Sequence, residues 1–164
     1  MSRERKLDNC GLEGLPLQLT IVAIVLAISS PIIYNGFKAY ETGKIEAQLG
    51  AEAGAIGDMA KLVYTGGVGN AQHLKVSLRG GATSHADYLL VGDNPGGPYQ
   101  CCVRYRAEGS SEQSMVVKDP NVPMRSPQGG TLKLLEGNYD LMIECKSSAN
   151  ATYVEVRTGN QAAG

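Results

Sequence analysis

Residues able to do chemistry are few in this chain and poorly placed for it. The two histidines, His73 and His85, fall in a predicted strand and a predicted turn. His85, Asp87 and Asp93 offer an imidazole and two carboxylates that could be imagined as a metal site, but their spacing fixes no geometry, and they read far more readily as solvated loop positions. No serine nucleophile motif, phosphate-binding glycine loop or cysteine–histidine metal spacing occurs. The expectation is a protein that is not an enzyme, with no catalytic residues, metal site or cofactor.

The four cysteines carry more information. In the stretch Tyr99-Gln100-Cys101-Cys102-Val103-Arg104-Tyr105-Arg106, strand parity puts Tyr99, Cys101, Val103 and Tyr105 on one face. In Tyr139–Cys145 it puts Tyr139, Leu141, Ile143 and Cys145 on another apolar face. Cys101 and Cys145 therefore both point toward the predicted core, and an exported domain permits a Cys101–Cys145 disulfide. A bulge at the cysteine pair would make Cys102 the partner instead, and ordinary unpaired thiols are the remaining alternative. Arg104 and Arg106 share the opposite face, as a solvated or subunit-contacting stripe. Cys10 lies before the apolar segment and stays apart from the others.

Those strands belong to a segregated chain. Its 164 residues suffice for one domain plus an anchor, and its net charge of −1, evenly mixed, gives no footprint for nucleic acid. From Leu15 to Phe37 there are 23 residues, LPLQLTIVAIVLAISSPIIYNGF, without Asp, Glu, Lys or Arg. A bilayer core needs about 20 helical residues, so this run is long enough to span a membrane. A cleaved secretory signal, with Ile28-Ser29-Ser30 as the peptidase site, would have a shorter apolar region than this one, which continues through Ile32, Ile33 and Tyr34. Arg3, Arg5 and Lys6 before the span favour an N-terminus held in the cytoplasm and the bulk of the chain outside. The sequon Asn150-Ala151-Thr152 agrees with export and makes Asn150 a candidate glycosylation site.

Helical character continues beyond the span. Residues 38–64 contain no proline, and Ile45, Leu49, Ile56, Met59 and Val63 recur at helical steps, with Glu52 interrupting the stripe. The pattern predicts one helix from about Leu15 to Tyr64, on the order of 75 Å long at about 1.5 Å per residue. Pro16 suits the first turn, Pro31 should kink or locally unwind the helix, and Gly66-Gly67 ends it. Gly43, Gly50 and Gly57 repeat every seven residues; Gly50 pairs with Gly54, and Ala47, Ala51 and Ala55 form a second series, as do Ala23 and Ala27 within the span. Each glycine costs a helix roughly 1 kcal/mol relative to alanine. Close approach of another helix offsets that cost, so these positions are predicted to pack closely against another helix. A frayed, flexible stalk is the alternative.

Beyond the helix, about seven short strands are predicted: His73–Leu78, Asp87–Val91, Tyr99–Arg106, Ser114–Lys118, Thr131–Leu135, Tyr139–Cys145 and Thr152–Arg157. Glycine-rich turns separate them, which suggests an antiparallel sandwich of immunoglobulin-like size; the absence of Trp argues against an immunoglobulin domain proper. The fold class expected is α+β, with residues 1–14 as a leader or cytoplasmic segment, 15–65 as the helix (membrane span about 15–37) and 66–164 as a β-sandwich head.

This layout resembles the archaeal type IV pilins and the related archaellins, which carry class III signal peptides. The likeness rests on a short basic leader, on Gly11-Leu12-Glu13-Gly14-Leu15-Pro16-Leu17 leading into the apolar helix, and on Val63-Tyr64-Thr65-Gly66-Gly67-Val68-Gly69-Asn70 at the helix-to-strand junction. The resemblance implies cleavage by a prepilin-type peptidase after Gly11 or Gly14, and handling by a dedicated assembly machinery. It also implies a helical homopolymer of identical subunits, with bundled hydrophobic helices inside and heads outside. The expected function is thus a structural subunit of an extracellular filament on the cell surface, membrane-inserted before assembly and serving adhesion or motility. The alternative is a single-pass, membrane-anchored surface protein whose sandwich binds a partner.

Overall fold

A computed structural model describes residues 14–148 and 151–159. Helix α1 spans Gly14–Thr65, 52 residues, close to the limits expected from its pattern. It continues through Pro31 without interruption, so the local unwinding expected there does not occur. Its end is built as the glycine pair suggests. Gly66 donates its N–H to the Leu62 carbonyl at 3.1 Å, and Gly67 turns the chain with φ of 87°, a left-handed conformation that glycine adopts without penalty.

The chain divides into two compact units, one ending at Ala39 and the other starting at Tyr40. The second unit holds eight strands: β1 (Ala71–Leu78), β2 (Ala86–Val91), β3 (Cys102–Ala107), β4 (Gln113–Val116), β5 (Met124–Arg125), β6 (Leu132–Leu134), β7 (Gly137–Ser148) and β8 (Ala151–Thr158). They form two four-stranded sheets, ordered β1-β7-β8-β5 and β4-β3-β2-β6. All pairings are antiparallel except β5 with β8, which is parallel. The head is therefore an α+β unit with mixed pairing rather than a purely antiparallel one. Strand β5 is absent from the seven expected, because two residues are too few to show a periodicity.

One apolar cluster joins both sheets to the helix. Val76, Leu78, Leu141, Ile143 and Val156 enter it from the first sheet, and Leu89, Val91, Val103 and Leu134 from the second. The helix adds Ile45, Leu49, Ala53, Ile56, Ala60 and Val63. Ala53 and Ala60 complete the stripe at three- and four-residue steps, so Glu52 lies beside it rather than within it.

Glu52 has a separate task at a sheet edge. β1 pairs with β7 on one side only, so alternate backbone groups on its other side need partners. The Ser77 carbonyl accepts from Gln48 Nε2 at 2.7 Å, and the Ser77 N–H donates to Glu52 Oε1 at 3.4 Å. The helix thus covers the β1 edge with two polar side chains while its apolar stripe enters the core. Far from the helix, the sheets are linked through β5: Met124 donates its N–H to the Gln100 carbonyl at 2.7 Å, and its own carbonyl accepts from Asp93 N–H at 3.2 Å. A Cβ on Gly92 would overlap that Met124 carbonyl, and Gly92 has φ of 66°; only glycine allows the crossing.

Glu41 fastens the first turn of the helix within this unit. Its carboxylate accepts from the Thr83 hydroxyl at 2.6 Å, the Thr83 N–H at 2.7 Å and the Ala82 N–H at 3.2 Å. The neighbouring Thr42 hydroxyl meets the buried Ser84 hydroxyl at 3.0 Å. The Thr83 hydroxyl, followed by its amide, holds the Glu41 carboxyl below the ordinary value of 4.5. A lowered folded-state value means the anchor is fully formed above 4.5 and is lost as pH falls through that lowered value. Hydrogen exchange at Ala82 and Thr83 should therefore accelerate in acid in the wild type, beyond the intrinsic pH effect. In Glu41→Gln that extra acid dependence should vanish; its persistence would show that another group controls the loop.

The helix glycines separate into two kinds, and their substitutions should move stability in opposite directions. A Cβ on Gly57 would lie 2.8 Å from Met115 Cε and 3.1 Å from Val117 Cγ2, whereas one on Gly43 meets nothing within 4 Å. Gly57→Leu should overpack the contact and cost more than about 1 kcal/mol despite the better helix propensity. Gly43→Ala should gain about 0.5–1 kcal/mol from propensity alone. Urea unfolding in mild detergent measures both, and equal effects at the two positions would contradict the packing described.

Candidate functional site: an exposed apolar helix

The first unit consists of apolar side chains without a cover. Leu17, Leu19, Ile21, Val22, Ile24, Val25, Leu26, Ile28, Ile32, Ile33, Tyr34 and Phe37 are all about half exposed or more, reaching 69% at Ile33. None of the most apolar 18-residue stretch is buried. The helix is long and apolar enough to cross a membrane. Burying one such side chain is worth about 1.5–3 kcal/mol, so these twelve together represent roughly 18–36 kcal/mol. That exceeds the about 5–15 kcal/mol that holds a typical domain folded. Lipid or other helices would give this segment the apolar surroundings that water does not. Thr20 turns its hydroxyl back to the Pro16 carbonyl at 2.8 Å, which reduces the polarity it presents.

The small residues expected to pack against other subunits fall on different faces. Ala23 and Ala27 are exposed among the apolar residues. Gly43, Ala47 and Ala51 are exposed too, while Gly54 and Ala55 are half-buried, with nothing within 4 Å of a Cβ placed on Gly54. Gly50 and Gly57 require a correction. A Cβ on Gly50 would stand 3.0 Å from the Tyr105 hydroxyl, and Gly57 is buried against Met115 and Val117. These two glycines let the helix approach its own sheet, so the seven-residue repeat is not a single intersubunit face. The sequence pattern showed that something comes close to the helix; it could not show that β3 and β4 do.

The expected Cys101–Cys145 disulfide is also corrected: Cys101, Cys102 and Cys145 are free thiols. Parity holds for Cys145, which is buried in β7 beside Leu141 and Ile143. It fails for Cys101 because β3 begins only at Cys102. The preceding residues form a turn in which Cys102 N–H donates to the Tyr99 carbonyl at 3.0 Å, so Cys101 follows no strand alternation. Cys102 faces away from the Val103 side yet is 7% exposed. Burial pushes all three thiols above their ordinary value; the Cys101–Cys102 proximity adds to this at Cys101, and Arg104 opposes it at Cys102.

The arginine stripe serves the head internally. Arg104 lies over the Tyr99 ring at 4.2 Å and pairs with Glu112 at 3.6 Å; Arg106 pairs with Asp87 at 2.5 Å and lies over Tyr88 at 4.8 Å. The imagined histidine–aspartate metal set is not assembled: His85 faces Glu136 at 3.3 Å, and Asp87 is taken by Arg106. Among the described residues no group of three His, Cys, Asp or Glu side chains converges. Gly14 is the first residue of α1, whereas Gly11, Cys10 and Asn150 lie outside the described residues.

Thiol accessibility tests this arrangement. At about pH 8, iodoacetamide should label Cys101 first and Cys102 more slowly, with Cys145 protected until the head unfolds. A Cys101–Cys145 or Cys102–Cys145 link in a non-reducing peptide map would contradict it. No family model, curated protein or solved structure matches this chain.

Proposed function

We propose that this protein is the structural subunit of an extracellular type IV pilus-like filament. Its apolar helix rests in the cytoplasmic membrane before assembly and packs against copies of itself afterward, and the β-rich head forms the outer surface used for adhesion or motility. A prepilin-type peptidase cutting after Gly11 or Gly14 would release the helix for assembly, in keeping with the resemblance to archaeal type IV pilins.

The observation that carries this reading is where the exposed small residues lie. A lipid anchor accounts for an exposed apolar stretch of membrane length ending near Phe37. It gives no role to Gly43, Ala47 and Ala51, which are small and exposed beyond that point. Glycine is costly in a helix interior, and Gly43 touches nothing that would require it. A neighbouring helix in close contact supplies the reason.

Substitution on that surface separates filament from anchor. Ala47→Leu combined with Ala51→Leu keeps strong helix formers at exposed positions, so head stability should stay within about 0.5 kcal/mol of wild type. The wild type should sediment as filaments from sheared cells, with subunits shortened by 11 or 14 residues in intact mass, and the double variant should remain membrane-bound and unassembled. Normal assembly by the variant would overturn the proposed contact. A wild-type protein found only as a detergent-extracted monomer of full length would overturn the filament and favour the anchored surface protein.

A further inference from the structure

β5 positions a set of polar side chains that the core and the helix do not use. Pro123 accepts Val154 N–H at 2.8 Å and Met124 is bonded to Gln100 and Asp93, so three distant chain segments are fastened to one short strand. Between them opens a cavity of about 330 Å³, lined among others by Asp93, Gln100, Met124, Arg125, Thr152 and Tyr153. Its size is at the lower end of small-molecule sites, and apolar and polar residues share its lining.

The chemistry of those groups is specific. Arg125 lies over the Tyr153 ring at 3.2 Å, which occupies the face of the guanidinium and leaves its in-plane N–H donors. Arg104, Arg106 and Arg157 each have a carboxylate partner, and Arg79 donates to Ser77; among the described residues the Arg125 guanidinium has neither. Asp93 uses Oδ1 to accept Asn94 N–H at 2.8 Å, which leaves Oδ2 as an acceptor. Gln100 uses Oε1 on Gly96 N–H at 3.2 Å, which leaves its amide N–H groups. Thr152 and Tyr153 also line the cavity.

We propose that this cavity binds a carboxylated sugar, such as a hexuronic acid. Arg125 receives the carboxylate in the bidentate geometry a guanidinium favours. Asp93, Gln100, Thr152 and Tyr153 then exchange hydrogen bonds with the ring hydroxyls, which need acceptors and donors together. A single cation beside a carboxylate is a poor host for a polyphosphate, and so many neutral hydroxyl and amide groups exceed what a simple amino acid could satisfy. The site stands on the head alone and does not depend on filament assembly.

Saturation-transfer NMR on the full chain in detergent micelles, titrated with glucuronate, glucose, inorganic phosphate and alanine, tests it. Glucuronate should bind at least tenfold more tightly than glucose, with phosphate and alanine weaker still. Arg125→Gln should weaken glucuronate at least tenfold while the unfolding temperature is kept. Thr152→Val, which leaves the guanidinium and its stacking in place, should weaken glucuronate severalfold, so the proposal remains testable if Arg125→Gln does not fold. Absence of glucuronate binding, equal binding of glucose, phosphate or alanine, or unchanged binding in a folded variant would each overturn the assignment.

Discussion

The contact between the helix stripe Ile45–Val63 and the two sheets is the constraint from which the head takes its order. Neither sheet can close its own core: each has four strands, and the first ends at β1 with one side unpaired. The helix meets both needs in one element. Six apolar residues enter the shared cluster, while Gln48 and Glu52, one step to the side, bond the Ser77 backbone. A bare edge of this kind is a template for unwanted strand pairing, and the helix covers it. Glu41 and Thr42 then fix the register at the N-terminal end of the contact through the loop at Ala82–Ser84.

The same residue types do two jobs along one helix, and geometry alone separates them. Gly50 and Gly57 are small because Tyr105, Met115 and Val117 stand within reach of where a Cβ would be. Gly43, Ala47 and Ala51 face solvent, where the proposed neighbouring helix would give them a use. The division falls out of the helical period. Positions seven apart drift by about 20° per repeat, so Gly57 lies closer to the buried stripe than Gly43 does.

Much of this was legible in the sequence, and the failures share a cause. The apolar run, the stripe through Ile45, Leu49, Ile56 and Val63, the glycine stop at Gly66-Gly67 and the alternation of Val76, Leu78, Leu141 and Ile143 are local periodic signals, and each was placed correctly. Glu52 read as an interruption because its partner, Ser77, belongs to a strand edge that no local pattern reveals. Strand parity places Cys101 on a core face only if it is counted into the turn before β3, where alternation has no meaning. β5 was too short to announce itself, and the cavity it supports gathers Asp93, Gln100, Arg125 and Tyr153 from positions scattered over sixty residues of sequence. Contacts between distant segments, rather than local propensity, account for what was missed.

The apolar segment from Leu17 to Phe37 remains the feature that the head does not explain, and its surroundings decide what the protein is. Cryo-electron microscopy of material sheared from the native cell surface addresses this directly. The account predicts a filament whose interior is a bundle of α1 helices, with Ala23 and Ala27 at helix–helix contacts and the β-rich heads outside. Native membranes that show isolated single spans with lipid around Leu17–Phe37, and no filament containing this chain, would contradict it.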